Sequence, residues 1–140
     1  DFLLAINPES FRKFGNDTKP EGIILVETSA YAPGWGLQTD NLLCVPMADI
    51  VQKVTGRQTS INDVALGVMA EILDFIDPEA LERVMLRRFP RQYEALNRQA
   101  YLAGRTYVQE KGVESMHPGR LQSDFPADLC DDTGDHPSEE

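Results

Sequence analysis

Phe2-Leu3-Leu4-Ala5-Ile6, Asn7-Pro8, Lys19-Pro20-Glu21-Gly22 and Ile23-Ile24-Leu25-Val26 form the stretch on which the fold turns. Both apolar runs are too short for buried helices, and they lack the alternation of a half-solvated strand. They read as strands covered on both faces. Between them, Asn7 is placed to cap a helix and Pro8 to occupy its first position, where a missing N–H costs nothing. The spacing predicts a helix to about Phe14, with Phe11 and Phe14 inward and Gly15 as its stop. A turn at Lys19-Pro20-Glu21-Gly22 completes a βαβ unit, whose crossover rule makes the strands parallel neighbours.

Working outward, Thr28 to Gly36 forms a loop from the carboxyl end of the second strand, the edge where ligands sit in open parallel sheets. Leu42-Leu43-Cys44-Val45 reads as a third strand. Pro46 starts a helix to about Val54, ended by Gly56. Ser60 or Asn62 opens the next helix, with Val64, Ala65, Val68, Met69 and Ile72 at the spacing of one buried face. Asp77-Pro78-Glu79 starts another with Leu81, Val84 and Met85 inward. A last helix runs from about Arg91 to Glu110, burying Tyr93, Leu96, Asn97, Ala100, Tyr101, Gly104 and Val108, and stops at Gly112. The expected fold class is therefore α/β: a three-layer α/β/α domain with a mostly parallel sheet, a helical C-terminal half and a disordered acidic tail. The apolar run begins directly after Asp1 with no initiator Met, so a missing N-terminal portion is expected.

The chain has 140 residues, an apolar share of 41% and a formal net charge of −10. Residues 121–140 carry −7 of that charge without a Lys or Arg, leaving −3 for the remainder. This distribution excludes a nucleic-acid partner, which needs a basic stripe. Pro118, Gly119, Pro126, Gly134 and Pro137 break periodicity after Ser115, so residues 112–140 read as a solvated tail; a docking arm for a basic partner is the other reading. Cys44 and Cys130 form no C-x-x-C pair, so neither a structural zinc nor an iron–sulfur cluster is expected within this chain, and a reducing, cytoplasmic setting follows. No run reaches the ~18 apolar residues of a membrane span, and no signal peptide is expected.

Conventional chemistry motifs are missing: no G-x-G-x-x-G, no phosphate loop, no H-E-x-x-H. Gly34-Trp35-Gly36 reads as a turn, and His117 and His136 fall in the tail, without the supporting shell a catalytic imidazole needs. Asp74 with Asp77, and Glu79 with Glu82, are explained by capping and a solvated helix face, and Asp63 and Glu71 by the same plain reading. Arg87, Arg88 and Arg91 flank Phe89-Pro90 and could receive a phosphate or carboxylate, although cations also suit the end of a helix. Asn62 is the best candidate for binding. Its amide offers donors and an acceptor at a helix N-terminus, with capping as the simpler alternative.

Four spaced signatures say more: Val45-Pro46-Met47-Ala48, Ile61-Asn62-Asp63-Val64-Ala65-Leu66-Gly67, Phe89-Pro90, and Asn97-Arg98-Gln99-Ala100-Tyr101-Leu102-Ala103-Gly104. In order and spacing they resemble the gamma subunit, or gamma domain, of the 2-oxoacid:ferredoxin oxidoreductases of the pyruvate and 2-oxoglutarate type. The resemblance runs from about Asp1 to about Lys111, as the C-terminal part of that domain. Its opening strand, Gly-rich turn and helix have no counterpart here, and the acidic extension lies outside the pattern.

The resemblance implies an accessory, non-catalytic subunit of a complex that oxidatively decarboxylates a 2-oxoacid onto coenzyme A. It implies catalytic partner subunits that hold thiamine diphosphate, magnesium and iron–sulfur clusters, with ferredoxin as electron acceptor. This chain would bind no cofactor alone but would contribute Asn62 to a shared coenzyme A site. The pocket that selects the 2-oxoacid would lie mostly on partner subunits. A non-enzymatic assembly or interaction module on the same fold is the competing reading.

Overall fold

The computed structural model describes residues 2–31 and 41–116. Its strands are β1 (Phe2–Ala5), β2 (Ile23–Glu27) and β3 (Leu42–Val45), and its helices α1 (Pro8–Phe14), α2 (Met47–Val54), α3 (Ile61–Ile72), α4 (Pro78–Arg87) and α5 (Glu94–Lys111). The chain is thus α/β, with a parallel sheet and a helical C-terminal half, as predicted. It divides into two compact units, which among the described residues are 2–46 with 114–116, and Met47–Val113. The predicted acidic tail lies outside the described residues.

In the first unit, the three strands are ordered β1-β2-β3 and all pair in parallel. The register sets Leu3, Ile24 and Leu42 in one cross-strand row and Ala5, Val26 and Cys44 in the next. Because side chains alternate along a strand, both rows face the same way. They form one core with Phe11 of α1, and Phe11 meets Tyr31 ring to ring at 5.8 Å. On the opposite pleat, Leu25, Leu43 and Val45 are also buried. Continuous apolar runs are the sequence consequence of a sheet buried on both faces.

α1 starts as predicted, with the Asn7 side chain accepting from the Ser10 N–H at 2.8 Å and Pro8 in the first turn. Two expectations are corrected there. Gly15 ends the helix in right-handed conformation (φ −59°) and opens a 3-10 turn, so it is not a left-handed stop. Phe14 is exposed, with the Lys13 ammonium 5.4 Å from its ring centre. A helix this short presents a single residue's width to the sheet, and Phe11 fills it.

The second unit is helical. α2 ends on Gly56 at φ +69°, whose N–H reaches the carbonyls of Val51 and Gln52 at 3.1 Å. Here the left-handed stop is real. Asp77 caps α4 through the N–H groups of Glu79 and Ala80, as predicted. Met85 and Leu86 form its buried stripe, whereas Val84 is half exposed on the flank of that stripe instead of inward. The expected start of the last helix at Arg91 is a 3-10 turn (Arg91–Tyr93), with Tyr93 N–H bonding Pro90 O; the α-helix begins at Glu94. Gly112 ends it at φ +80°.

α3 and α5 lie against each other closely enough that neither tolerates a side chain at the crossing. A Cβ on Gly67 would stand 2.0 Å from the Tyr101 carbonyl oxygen, and one on Gly104 would stand 2.1 Å from that of Val64. Each obstacle is backbone, which cannot move aside as a side-chain tip can. Around the crossing Val64, Ala65, Val68 and Ala100 are fully buried. Tyr101 is buried in a cluster with Ala70, Met85 and Leu86 and donates its hydroxyl to the Pro78 carbonyl at 2.6 Å. Glu71 accepts from Arg105 at 2.7 Å and from Gln109 at 3.1 Å, holding the far end of the pair.

Gly67→Ala and Gly104→Ala are each expected to destabilise the helical unit by about 3 kcal/mol or more. Gly56→Ala, which meets no atom within 4 Å but must hold a positive φ, should cost only about 1 kcal/mol. Urea denaturation of the three variants measures the contrast; equal losses would mean the crossing is looser than described. A further expectation concerns β1, an apolar strand paired on one side only among the described strands. The isolated chain should self-associate through it, and a monodisperse, cooperatively unfolding monomer in sedimentation would contradict that.

Candidate functional site

The first turn of α3 gathers the polar side chains that sequence reading singled out, and the structure distributes their roles differently. Ser60 holds the N-cap position, yet its side chain makes no capping bond. Its hydroxyl instead lies 3.4 Å from Asn97 Oδ1 on α5, and both residues are buried. This contact ties the amino ends of two parallel helices. Asn62 lies inside the helix and is exposed, so it does not cap. The approach also differs from expectation: a 3-10 turn (Gln58–Ser60) feeds α3, and the Ile61 N–H is already used by Gln58 O. Fewer free N–H groups remain for an anion, and the exposed Asn62 amide is the polar group this turn presents to solvent.

Asp63, set aside in the sequence as an ordinary surface acid, is buried at 4% exposure. Burial alone pushes its carboxyl from the ordinary 3.8 up to about 6, with no charged neighbour contributing. The available signal was its place directly before Val64-Ala65, on a helix that turns out to be buried on most sides. Such a carboxyl can hold or release a proton near neutral pH.

Glu27 is a second acid missed in the sequence reading, although it directly follows the apolar run of β2. It is buried at 2% exposure at the carboxyl end of the central strand. Its carboxylate accepts from the Ser29 N–H at 2.9 Å and from the Ser29 hydroxyl. Thr28 and Cys44 stand beside it, with the Cys44 thiol 3.7 Å from Thr28 Oγ1. The first unit thus has a small polar cluster at the sheet edge where parallel folds place ligands.

The other candidates have structural partners. Glu82 pairs with Arg98 at 2.8 Å, and Glu79 lies 3.7 Å from Arg105, which also holds Glu71. Asp77 caps α4, and Asp74 is exposed. Arg87, Arg88 and Arg91 are exposed at the α4–α5 corner. Gly34-Trp35-Gly36, His117, His136 and Cys130 lie outside the described residues. Among the described residues no three His, Cys, Asp or Glu side chains form a metal-ligand set, and no helix is long and apolar enough to cross a membrane. α2 and α5 enclose an open, mainly apolar groove of about 440 Å³ between Ile50, Val54, Leu102 and Ala103, with Lys53 and Glu110 also lining it.

Because the folded pKa of Asp63 lies above its unfolded value, the proton is bound more tightly in the folded state. Stability should therefore fall as pH rises from about 4 through 6. Asp63→Asn should remove this slope and stabilise the protein at pH 7 by about 1 kcal/mol, with no gain below pH 4. Denaturation curves at several pH values check it, and a loss of stability at pH 7 would mean that the carboxylate has a favourable partner.

Comparison with known proteins adds a family context. Residues 1–107 match the family model described as pyruvate ferredoxin/flavodoxin oxidoreductase. The chain is similar to the crystal structure of a keto/oxoacid ferredoxin oxidoreductase gamma subunit from Geobacter sulfurreducens PCA, with a TM-score of 0.70 and 28% identity. That similarity covers 79% of this chain and 64% of the other, so the chain spans less than two thirds of that subunit's length. No curated protein sequence matches.

Proposed function

Since this chain belongs to the pyruvate ferredoxin/flavodoxin oxidoreductase family, we propose that it serves as the gamma subunit, or part of a gamma domain, of a complex that oxidatively decarboxylates a 2-oxoacid to an acyl-CoA. The observation that carries this reading is the match over residues 1–107, within which two of the family-like signatures supply both sides of the α3–α5 crossing. The likeness to a gamma subunit of known structure supports the subunit assignment.

In this reading the chain is not itself the catalyst. Thiamine diphosphate with magnesium and the iron–sulfur clusters, held by partner subunits, would supply the decarboxylation chemistry and the electron path to ferredoxin. This chain would help assemble the complex in the cytoplasm and contribute to the coenzyme A site. Asn62 fits such a role in kind: its amide is exposed on the first turn of a rigid helix and carries both donor and acceptor capacity. Asn62→Ala in the complex should weaken coenzyme A binding about three- to tenfold, with the fold unchanged because the side chain is exposed and does not cap α3. Unchanged affinity in calorimetry would remove Asn62 from the site.

Anaerobic purification of the tagged protein from its native host tests the assignment as a whole. Thiamine- and cluster-binding partners with broad iron–sulfur absorption are the expected result. A colourless complex with unrelated partners would favour an interaction module on the same fold.

A further inference from the structure

The α4–α5 corner concentrates positive charge in an otherwise acidic chain. Residues 83–93 contain Arg83, Arg87, Arg88 and Arg91 and no Asp or Glu, against a net charge of −10 for the whole protein. Arg83 and Arg87 lie one turn apart on α4, Arg88 ends that helix, and Arg91 opens the following 3-10 turn. A fifth cation arrives from elsewhere in the unit: the Arg57 guanidinium sits over the Tyr93 ring at 5.0 Å. All five are exposed. Among the described residues none of them has a salt bridge, while Arg98 and Arg105 nearby are engaged by Glu82, Glu71 and Glu79.

Helix electrostatics accounts for part of this arrangement. The carbonyl end of α4 favours Arg87 and Arg88. It does not account for Arg91, which stands just before the amino end of α5, where a cation is disfavoured. Nor does it account for Arg57, which stands just before the 3-10 turn leading into the amino end of α3. These charges are therefore maintained against the local field of the fold. The nearest carboxyls in sequence are Glu79 and Glu82 on α4, Glu94 in the first turn of α5 and the buried Asp63; Glu82 and Glu79 already face Arg98 and Arg105, which leaves too little negative charge to balance five arginines.

Apolar surface is interleaved with this charge. Val84 is 50% exposed and Phe89 38% exposed. Arginine together with exposed aromatic surface is the composition of protein interfaces. The overall negative charge works against a nucleic-acid backbone, which would be repelled by the rest of the chain.

We propose that the α4–α5 corner, with Arg57, Arg83, Arg87, Arg88 and Arg91 around Phe89, is a docking surface for a partner protein that presents a cluster of carboxylates beside an apolar contact. The guanidiniums steer and orient the acidic face, and Phe89 and Val84 supply the desolvated contact that slows its departure. This surface stands independently of the coenzyme A reading.

The test is binding of a fluorescein-labelled oligo-glutamate peptide to the full chain, followed by anisotropy. Wild type should bind, and more weakly as salt rises. Arg87→Ala/Arg88→Ala should weaken binding about tenfold. Lys53→Glu, which changes net charge by the same amount on α2, should alter it by less than about twofold. Circular dichroism confirms that each variant is folded. No binding by wild type, equal weakening by Lys53→Glu, or unchanged binding by the double variant would overturn the proposal. Equal displacement of the peptide by inorganic phosphate would also overturn it, in favour of a small-anion site.

Discussion

The contact between Gly67 and Tyr101, answered by that between Gly104 and Val64, is the constraint on which the helical unit depends. Each glycine places a bare Cα against the other helix's carbonyl, so α3 and α5 approach at backbone range. This geometry suits weak Cα–H···O contacts as well as dispersion. Once the axes are fixed, other positions follow. Ser60 meets Asn97 at the amino ends, Glu71 meets Arg105 at the other, and Tyr101 is set between α3 and α4 with its hydroxyl on Pro78. Burial raises the Tyr101 phenol to about 12, so it remains a neutral donor across the physiological range. Two of the family-like signatures are thus, in physical terms, a recipe for packing two helices with no side chain between their backbones at the crossing.

The sheet unit has a different logic. Its rows Leu3-Ile24-Leu42 and Ala5-Val26-Cys44 bury one face under Phe11, while Leu25, Leu43 and Val45 are buried on the other pleat. A sheet so enclosed can accept polar side chains only at its ends, and Glu27 with Thr28 occurs at the carboxyl end of β2. The two buried acids among the described residues, Glu27 and Asp63, therefore have opposite settings. Glu27 is satisfied by Ser29, whereas the carboxyl of Asp63 bears its desolvation without a charged neighbour.

Sequence reading recovered what local rules govern. Apolar runs marked the strands, and Asn7-Pro8, Asp77-Pro78, Gly56 and Gly112 marked helix ends, because caps and positive φ act within a few residues. It failed where the outcome depends on the third dimension. Phe14 and Val84 carry the right chemistry for a core but sit on the wrong flank of short helices. Asn62 looked like a cap because the 3-10 turn before α3 leaves no pattern of its own. Asp63 looked like a surface acid because its burial depends on the packing of α3. Gly67 and Gly104 were noted as signature letters, but only the crossing shows why a methyl group is forbidden there. The family resemblance was legible from ordered motifs, whereas the α2–α5 groove and the convergence of Arg57 on Tyr93 come from distant segments.

Native-state hydrogen exchange of the full chain tests the central role of the crossing most directly. If the glycine contact holds the helical unit together, amides of Val64 to Val68 and Tyr101 to Arg105 should exchange last within that unit and with a common free energy, after those of α2 and α4. Exchange of the α3 and α5 amides ahead of α2 or α4, or at unrelated free energies, would contradict it and return the signatures to some role other than packing.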